Sequence, residues 1–176
     1  MKNQKAIRIT QTAIIAAMYA ALTYAQSFLL PGTTTAAVQF RASEALNVLA
    51  LFTPAAIPGL TLGCVISNLY SIGQGLPLDM IFGSFATLGA TLCMYFLKNV
   101  KIKNYPFFAM LMPAIWNGVI VGWEIEYFFI EGGFHFSSFL IQGGCVALGE
   151  LAVMFTLGTA LYFAFIKRNI SRQINK

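Results

Sequence analysis

From about Arg8 to Ile166 the chain is a succession of apolar runs, broken by short polar or Gly/Pro stretches. Crossing a hydrocarbon core of about 30 Å takes roughly 20 residues of helix. Runs of that length, repeated along the whole chain, predict an all-α integral membrane bundle. Composition agrees: 10% of the 176 residues are charged and 58% are hydrophobic, whereas a soluble domain carries about 25% charge. No stretch is left over for a separate soluble domain, so residues 1–176 read as one membrane unit.

Six spans fit. They run over about Arg8–Leu30, ended by Pro31-Gly32; Arg41–Phe52; Thr53-Pro54 to Ser71; Leu78–Leu97; Pro106–Phe128; and Ser138–Ile166. Thr53 is placed as an N-cap with Pro54 at the first helical position. The second span is the shortest. Lys2, Lys5 and Arg8 precede the first run in the manner of a signal peptide, but Thr12–Leu30 is long for such a segment and reads as a first membrane helix.

Charge sets the expected topology. Basic residues gather at Lys2, Lys5 and Arg8, at Lys98, Lys101 and Lys103, and at Lys167, Arg168, Arg172 and Lys176. The loops around residues 31–40, 72–77 and 129–137 carry no Lys or Arg. The positive-inside rule puts all three clusters in the cytoplasm. Four spans, then two, satisfy that, with both termini cytoplasmic in a multi-pass protein of the cell membrane. The net charge of +5 is explained by this anchoring and not by nucleic acid.

Small residues line certain faces. Ala13, Ala17, Ala21 and Ala25, with Ala16 and Ala20 beside them, form a smooth ridge on the first span, suited either to internal packing or to a second membrane subunit. Gly59, Gly63, Ser67 and Ser71 on the third span, and Gly118 and Gly122 on the fifth, read as internal packing. Cys64, Cys93 and Cys145 have no CxxC spacing and read as small buried hydrophobes.

The polar side chains fall toward the outer half. Gln39, Arg41, Glu44 and Asn47 lead into the second span, the last three sharing one face. Asn68 and Gln74 end the third, Asp79 opens the fourth, and Trp116, Asn117, Trp123, Glu124 and Glu126 belong to the fifth. The sixth adds Gln142 and, near mid-membrane, Glu150. Carboxylates at such depth are costly and have a partner or a job. Asp79 suits either a helix start or a ligand, Arg41 and Glu44 either each other or a ligand, and Trp123 and Tyr127 either the interfacial belt or the site. His135 and Glu131 fall in a loop, where His135 reads as incidental. Such a set suits a flat, neutral or cationic molecule rich in hydrogen bonds, since carboxylates accept paired N–H groups, amides do both, and tryptophan stacks. The excess of acids over arginine, and the lack of a Gly-rich phosphate loop, argue against a phosphorylated ligand.

Several strings resemble the QueT family, substrate-binding (S) components of energy-coupling factor (ECF) transporters. They are Val38-Gln39-Phe40-Arg41-Ala42-Ser43-Glu44-Ala45-Leu46, Leu51-Phe52-Thr53-Pro54-Ala55-Ala56-Ile57-Pro58-Gly59 with Gly63-Cys64, and Asp79 with Phe82-Gly83-Ser84-Phe85-Ala86-Thr87-Leu88. Asn117, Val121-Gly122-Trp123-Glu124 and Gly149-Glu150-Leu151 complete the likeness. The resemblance implies a six-helix bundle that captures a queuosine precursor from outside, a 7-deazaguanine such as queuine or its aminomethyl precursor. It implies delivery through a transmembrane T component and two cytoplasmic ATPases. ATP is then used by those partners, and this chain binds no cofactor. It also implies that Ala13, Ala16, Ala17, Ala20 and Ala21 face the T component. The substrate set would be Glu150 or Glu124 on the guanine-like edge, Asn117 and Asn68 as donors, Trp116 or Trp123 stacking, and Glu44 or Asp79 on the substituent, with Arg41 and Asn47 alongside. Glu126, next to Glu124, departs from the family's single carboxylate there.

Other classes fit less well. No Ser–His pair lies at depth and no His or acidic cluster suits a metal hydrolase, so an enzyme is not expected. The alternatives are an S component for another vitamin-like heterocycle, or a stand-alone transporter using Glu150 as a proton relay.

Overall fold

A computed structural model describes residues 2–31, 33, 40–73 and 78–168. Gln39, Gln74, Arg172, Lys176 and most of the Pro31–Thr35 loop, which the sequence suits either to a gate over the site or to an external connector, lie outside the described residues.

Helix α1 (Lys2–Leu29) is followed by a 3-10 helix (Ala42–Leu51), then α2 (Ala56–Gly73), α3 (Asp79–Leu97) and α4 (Phe107–Glu124). A π-helical turn, Ile125–Phe129, extends α4. The last rod is α5 (Phe136–Val153), a second π-helical turn (Met154–Gly158) and α6 (Thr159–Lys167) in unbroken succession. Among the described residues there is no strand, only an isolated bridge between Ile102 and Tyr105 around the left-handed pair Lys103–Asn104.

Six helical rods follow in the expected order, although two, Ala42–Leu51 and the Ala56–Leu69 part of α2, are shorter than the expected spans. Four of them, Gln4–Leu29, Asp79–Leu97, Phe107–Phe129 and Phe136–Lys167, are long and apolar enough to cross a membrane. Ala42–Leu51 is not. Ten residues at about 2.0 Å each reach only about 20 Å. Its residues from Ser43 to Ala50 are all buried, so it sits inside the bundle as a plug rather than on its lipid face. Helix α2 starts at Ala56, later than the Pro54 expected, because Thr53–Ala55 form a turn in which Thr53 Oγ1 accepts the Ala55 N–H at 3.3 Å.

Packing follows the small residues. A Cβ on Gly59 would lie 2.9 Å from the Thr12 carbonyl, and one on Gly63 2.7 Å from Tyr19 Cβ, so α2 rides directly on α1. Ala16 and Ala20 are buried, whereas Ala13, Ala17, Ala21 and Ala25 are exposed. The alanine ridge therefore divides into an inner row, on the α1 face that also carries Ile15 and Tyr19, and an outer row. Between α4 and α5 the approach is closer still: a Cβ on Gly122 would come within 2.5 Å of Gly143 Cα, and one on Gly143 within 2.5 Å of the Gly118 carbonyl.

The main apolar core gathers Leu46, Val48, Leu49, Leu60, Met94, Met110, Met154 and Tyr162. Met94 closes α3 and Met110 opens α4, so this core lies toward the end bearing the Lys98–Lys103 connection. The first residues of α3 and the last of α4 lie at the opposite end, and that is where the polar side chains meet.

Candidate functional site

The 3-10 geometry organises the first part of the site. With 3.0 residues per turn, residues three apart stack directly above one another. Glu44 and Asn47 therefore eclipse, and Asn47 Nδ2 donates to Glu44 Oε2 at 2.5 Å. The other Glu44 oxygen accepts a short hydrogen bond from the Tyr19 hydroxyl of α1. Thr23 and Ser43 join their hydroxyls at 2.7 Å one turn further along α1. Glu44 is thus satisfied on both oxygens.

Arg41 precedes the same helix. Its guanidinium donates to Asp79 Oδ2 of α3 at 2.6 Å and to Asn68 Oδ1 of α2 at 3.1 Å. Asn68 Nδ2 in turn donates to the Asp79 carbonyl at 2.8 Å. Gly83 makes the room: a Cβ there would sit 3.0 Å from Asn68 Nδ2 and 3.2 Å from Asp79 Oδ1. Of the two readings open for Arg41 and Glu44, pairing with each other is not what forms. Stacked on one face, both reach away to partners on other helices, Arg41 to Asp79 and Glu44 to Tyr19. Asp79 is both the first residue of α3 and an ion-pair partner. Asn68, expected as a ligand donor, spends its amide on this pair.

The close α4–α5 crossing builds the rest. It brings Asn117 Nδ2 to 3.3 Å from Glu150 Oε1. Glu150 Oε2 has no partner among the described residues, nor has either oxygen of Glu124, although both side chains are 1% exposed. Asn47 Oδ1, Ser84 Oγ and Arg41 Nε are likewise buried and unmatched among the described residues. Arg41 lies within electrostatic reach of Asp79 and Glu44, and of Glu124 and Glu150 as well. Among the described residues Arg41 is thus the one buried guanidinium in a region that also buries Glu44, Asp79, Glu124 and Glu150, and the surplus is in acceptors.

Glu124 and Glu126 separate in role. The π-helical turn beginning at Ile125 adds a residue to the turn, so that both carboxylates are buried despite standing two apart. Glu124 is buried within electrostatic reach of Asp79 and Arg41. Glu126 Oε1 accepts the backbone N–H of His135 at 2.9 Å and fastens the loop that starts α5. His135, expected to be incidental, contributes that backbone contact while its ring stays largely exposed.

The tryptophans do not enter this polar set. Trp116 lies over Gly89 of α3, where a Cβ would be 2.5 Å from its ring. Trp123 is 37% exposed and stacks on Tyr127 at 5.1 Å, with Phe82 and Phe128 at its edges. Trp123 thus packs in an aromatic patch of the kind found at membrane interfaces. Conversely Tyr19, Gln26, Ser84, Thr87 and Thr91 are buried polar residues that sequence reasoning passed over. Tyr19, Thr23 and Gln26 recur at helical spacing on one α1 face, and that was the available signal. Cys64 is buried as expected, 3.5 Å from Asn68 Nδ2, whereas Cys93 and Cys145 are only partly buried. Among the described residues no group of His, Cys, Asp or Glu is placed to hold a metal ion.

Apolar rods enclosing a buried, acceptor-rich polar centre define a multi-pass membrane protein built to handle a polar solute. The QueT transporter family model matches residues 9–167, and the chain belongs to that family. It is similar to "Queuosine precursor transporter QueT" of Lactococcus lactis subsp. cremoris (strain MG1363), with 32% identity over 158 residues covering 88% of this chain and 90% of that protein. Both are transporters and not enzymes. No solved structure is significantly similar to the chain.

Proposed function

We propose that this chain captures a queuosine precursor of the 7-deazaguanine type and serves as the S component of an ECF importer. The observation that carries the reading is Glu124: a buried carboxylate with both oxygens unmatched among the described residues, beside an Arg41 already committed to Asp79. Burying a charge without partners costs several kcal/mol. A ligand bringing N–H donors relieves that cost.

A deazaguanine edge presents a ring N–H and an exocyclic amine side by side, with a carbonyl next to them. Glu124 accepts the two N–H groups in parallel, the strong bidentate arrangement. Arg41 Nε, or the Ser84 hydroxyl, donates to the carbonyl. Glu150 Oε2 and Asn47 Oδ1 remain as acceptors for a second donor group, and a cationic aminomethyl substituent meets both needs. Glu44 and Asp79, held by Tyr19 and Arg41, set the frame and do not grip the substituent.

The surrounding assembly belongs to the same proposal. The site lies at the end of the bundle away from the basic Lys98–Lys103 connection, which the positive-inside rule puts in the cytoplasm together with both termini. The ligand then arrives from outside. A T component docks on the outer row Ala13, Ala17 and Ala21, and two ATPases in the cytoplasm supply the work through ATP. Ala16 and Ala20, turned inward, support α2 instead. Uptake into proteoliposomes tests the reading: accumulation requires T component, ATPases and ATP. Accumulation by this chain alone under a proton gradient would favour a Glu150 proton relay instead.

A further inference from the structure

Gln26 stands outside the carboxylate cluster, yet it is tied to Arg41, the cluster's one cation among the described residues. It lies near the end of α1 and is 8% exposed. Its Oε1 accepts the Ala42 N–H at 2.7 Å. Its Nε2 donates to the Phe40 carbonyl in a short hydrogen bond and to Thr33 Oγ1 at 3.0 Å. Phe40 and Ala42 flank Arg41 in the chain. One side-chain amide thus bonds the carbonyl before Arg41 and the N–H after it, as a neighbouring β-strand would.

The backbone at Arg41 needs such a grip. It is extended, with φ −98° and ψ 109°, and Arg41's own side chain does not cap the 3-10 helix that begins at Ala42, so the Ala42 N–H is met by Gln26 alone among the described residues. A long side chain on a free extended residue samples many directions, and each fixed rotamer costs entropy. Arg41 must nevertheless deliver its two terminal nitrogens to Asp79 and Asn68, and this leaves Nε buried and unmatched among the described residues.

We infer that Gln26 is a positioning residue for Arg41, and that through Arg41 it sets how strongly the site prefers a cationic ligand over a neutral one. This deepens the transport reading above and rests on it. With Gln26 in place, the guanidinium stands among four carboxylates, neutralising part of their charge and offering Nε to the ligand's carbonyl. With the grip gone, Arg41 spreads over many rotamers. Any ligand loses a donor, but a cationic one gains from carboxylates left less neutralised.

The test is a double-mutant cycle on the purified full chain in detergent, with two probes: an aminomethyl-7-deazaguanine and the neutral 7-methyl-7-deazaguanine. Gln26→Ala should weaken both and raise the preference for the cationic probe by about three- to tenfold, a shift absent when Gln26→Ala is made in an Arg41→Gln background. Gln26→Glu keeps the acceptor for Ala42 but loses the donor to Phe40, and should fall between. A structural role alone would weaken both probes equally and leave the preference unchanged; that result, or an equal shift in the Arg41→Gln background, overturns the inference. If Arg41→Gln does not fold, Asp79→Asn takes its place, since it removes the anchor of the same guanidinium. If the wild-type chain binds neither probe, the transport reading fails. Thermal unfolding of wild type, Gln26→Ala, Arg41→Gln and the double variant then tests the positioning part separately: additive losses reject it, and non-additive losses support the Gln26–Arg41 coupling while the ligand preference falls with the transport reading.

Discussion

Asn117 of α4 donates to Glu150 of α5 at 3.3 Å, and the second Glu150 oxygen is buried with no partner among the described residues. The contact exists because glycines bring the two helices together: Gly118 and Gly122 face Gly143 and Ala147 with no space for another side chain. Packing and chemistry are therefore linked at one crossing.

That link is testable by small additions. Gly143→Ala or Gly122→Ala puts a methyl group against the opposing backbone, where overpacking costs about 1–3 kcal/mol. Both should lower the unfolding temperature in detergent and weaken ligand binding together. Gly144, whose Cβ would meet nothing within 4 Å, provides the control. Gly144→Ala should change neither quantity, and an equal loss there would disconnect binding from the crossing.

The Arg41–Asp79 pair makes an asymmetric prediction. Removing one member of a buried pair strands the other, at about 3–5 kcal/mol, whereas replacing both with apolar groups is often neutral. Asp79→Ala should therefore be much less stable than the double variant Arg41→Met with Asp79→Leu, as read by thermal unfolding. The double variant should recover the fold without recovering ligand. Equal stability of the two would mean that the pair is not buried as described.

Tyr19→Phe isolates the inner frame. It deletes only the hydroxyl that satisfies Glu44 Oε1, and stranding a buried acceptor costs about 1–3 kcal/mol. Stability should fall by that order, with a smaller effect on affinity than any change at Glu124. A larger loss of affinity than of stability would place Glu44 on the ligand.

Docking is predicted on the outer row of α1. Ala17→Trp fills an exposed ridge position and should leave ligand binding by the isolated chain intact while abolishing uptake in the reconstituted complex. Unimpaired uptake would move the partner's contact elsewhere.

Much of this organisation was legible in the sequence. The apolar runs gave the order of rods, and the i, i+3 spacing of Arg41, Glu44 and Asn47 showed a shared face, which the 3-10 winding aligns more closely than an α-helix would. What the spacing could not show is where each residue reaches, because Arg41 and Glu44 find partners on α3 and α1, distant in sequence. Glu124 and Glu126 were inseparable for a related reason: the π-helical turn shifts the register between them, and no residue type announces such a turn. Tyr19 and Gln26 were overshadowed by the alanine ridge, although they lie on the face next to it. The tryptophans were assigned by their place on the fifth span and their capacity to stack, and the sequence could not show the glycine opposite Trp116 or the aromatic neighbours of Trp123.

Calorimetric titration of the purified chain with an aminomethyl-7-deazaguanine, compared among wild type, Glu124→Gln, Glu150→Gln and Glu44→Gln, addresses the central claim most directly. Hydrogen bonds to charged groups contribute about 1.5–3 kcal/mol, so Glu124→Gln and Glu150→Gln should each weaken binding by about ten- to a hundredfold, with Glu44→Gln acting mainly on stability. Wild-type affinity in both the Glu124→Gln and Glu150→Gln variants would contradict the account.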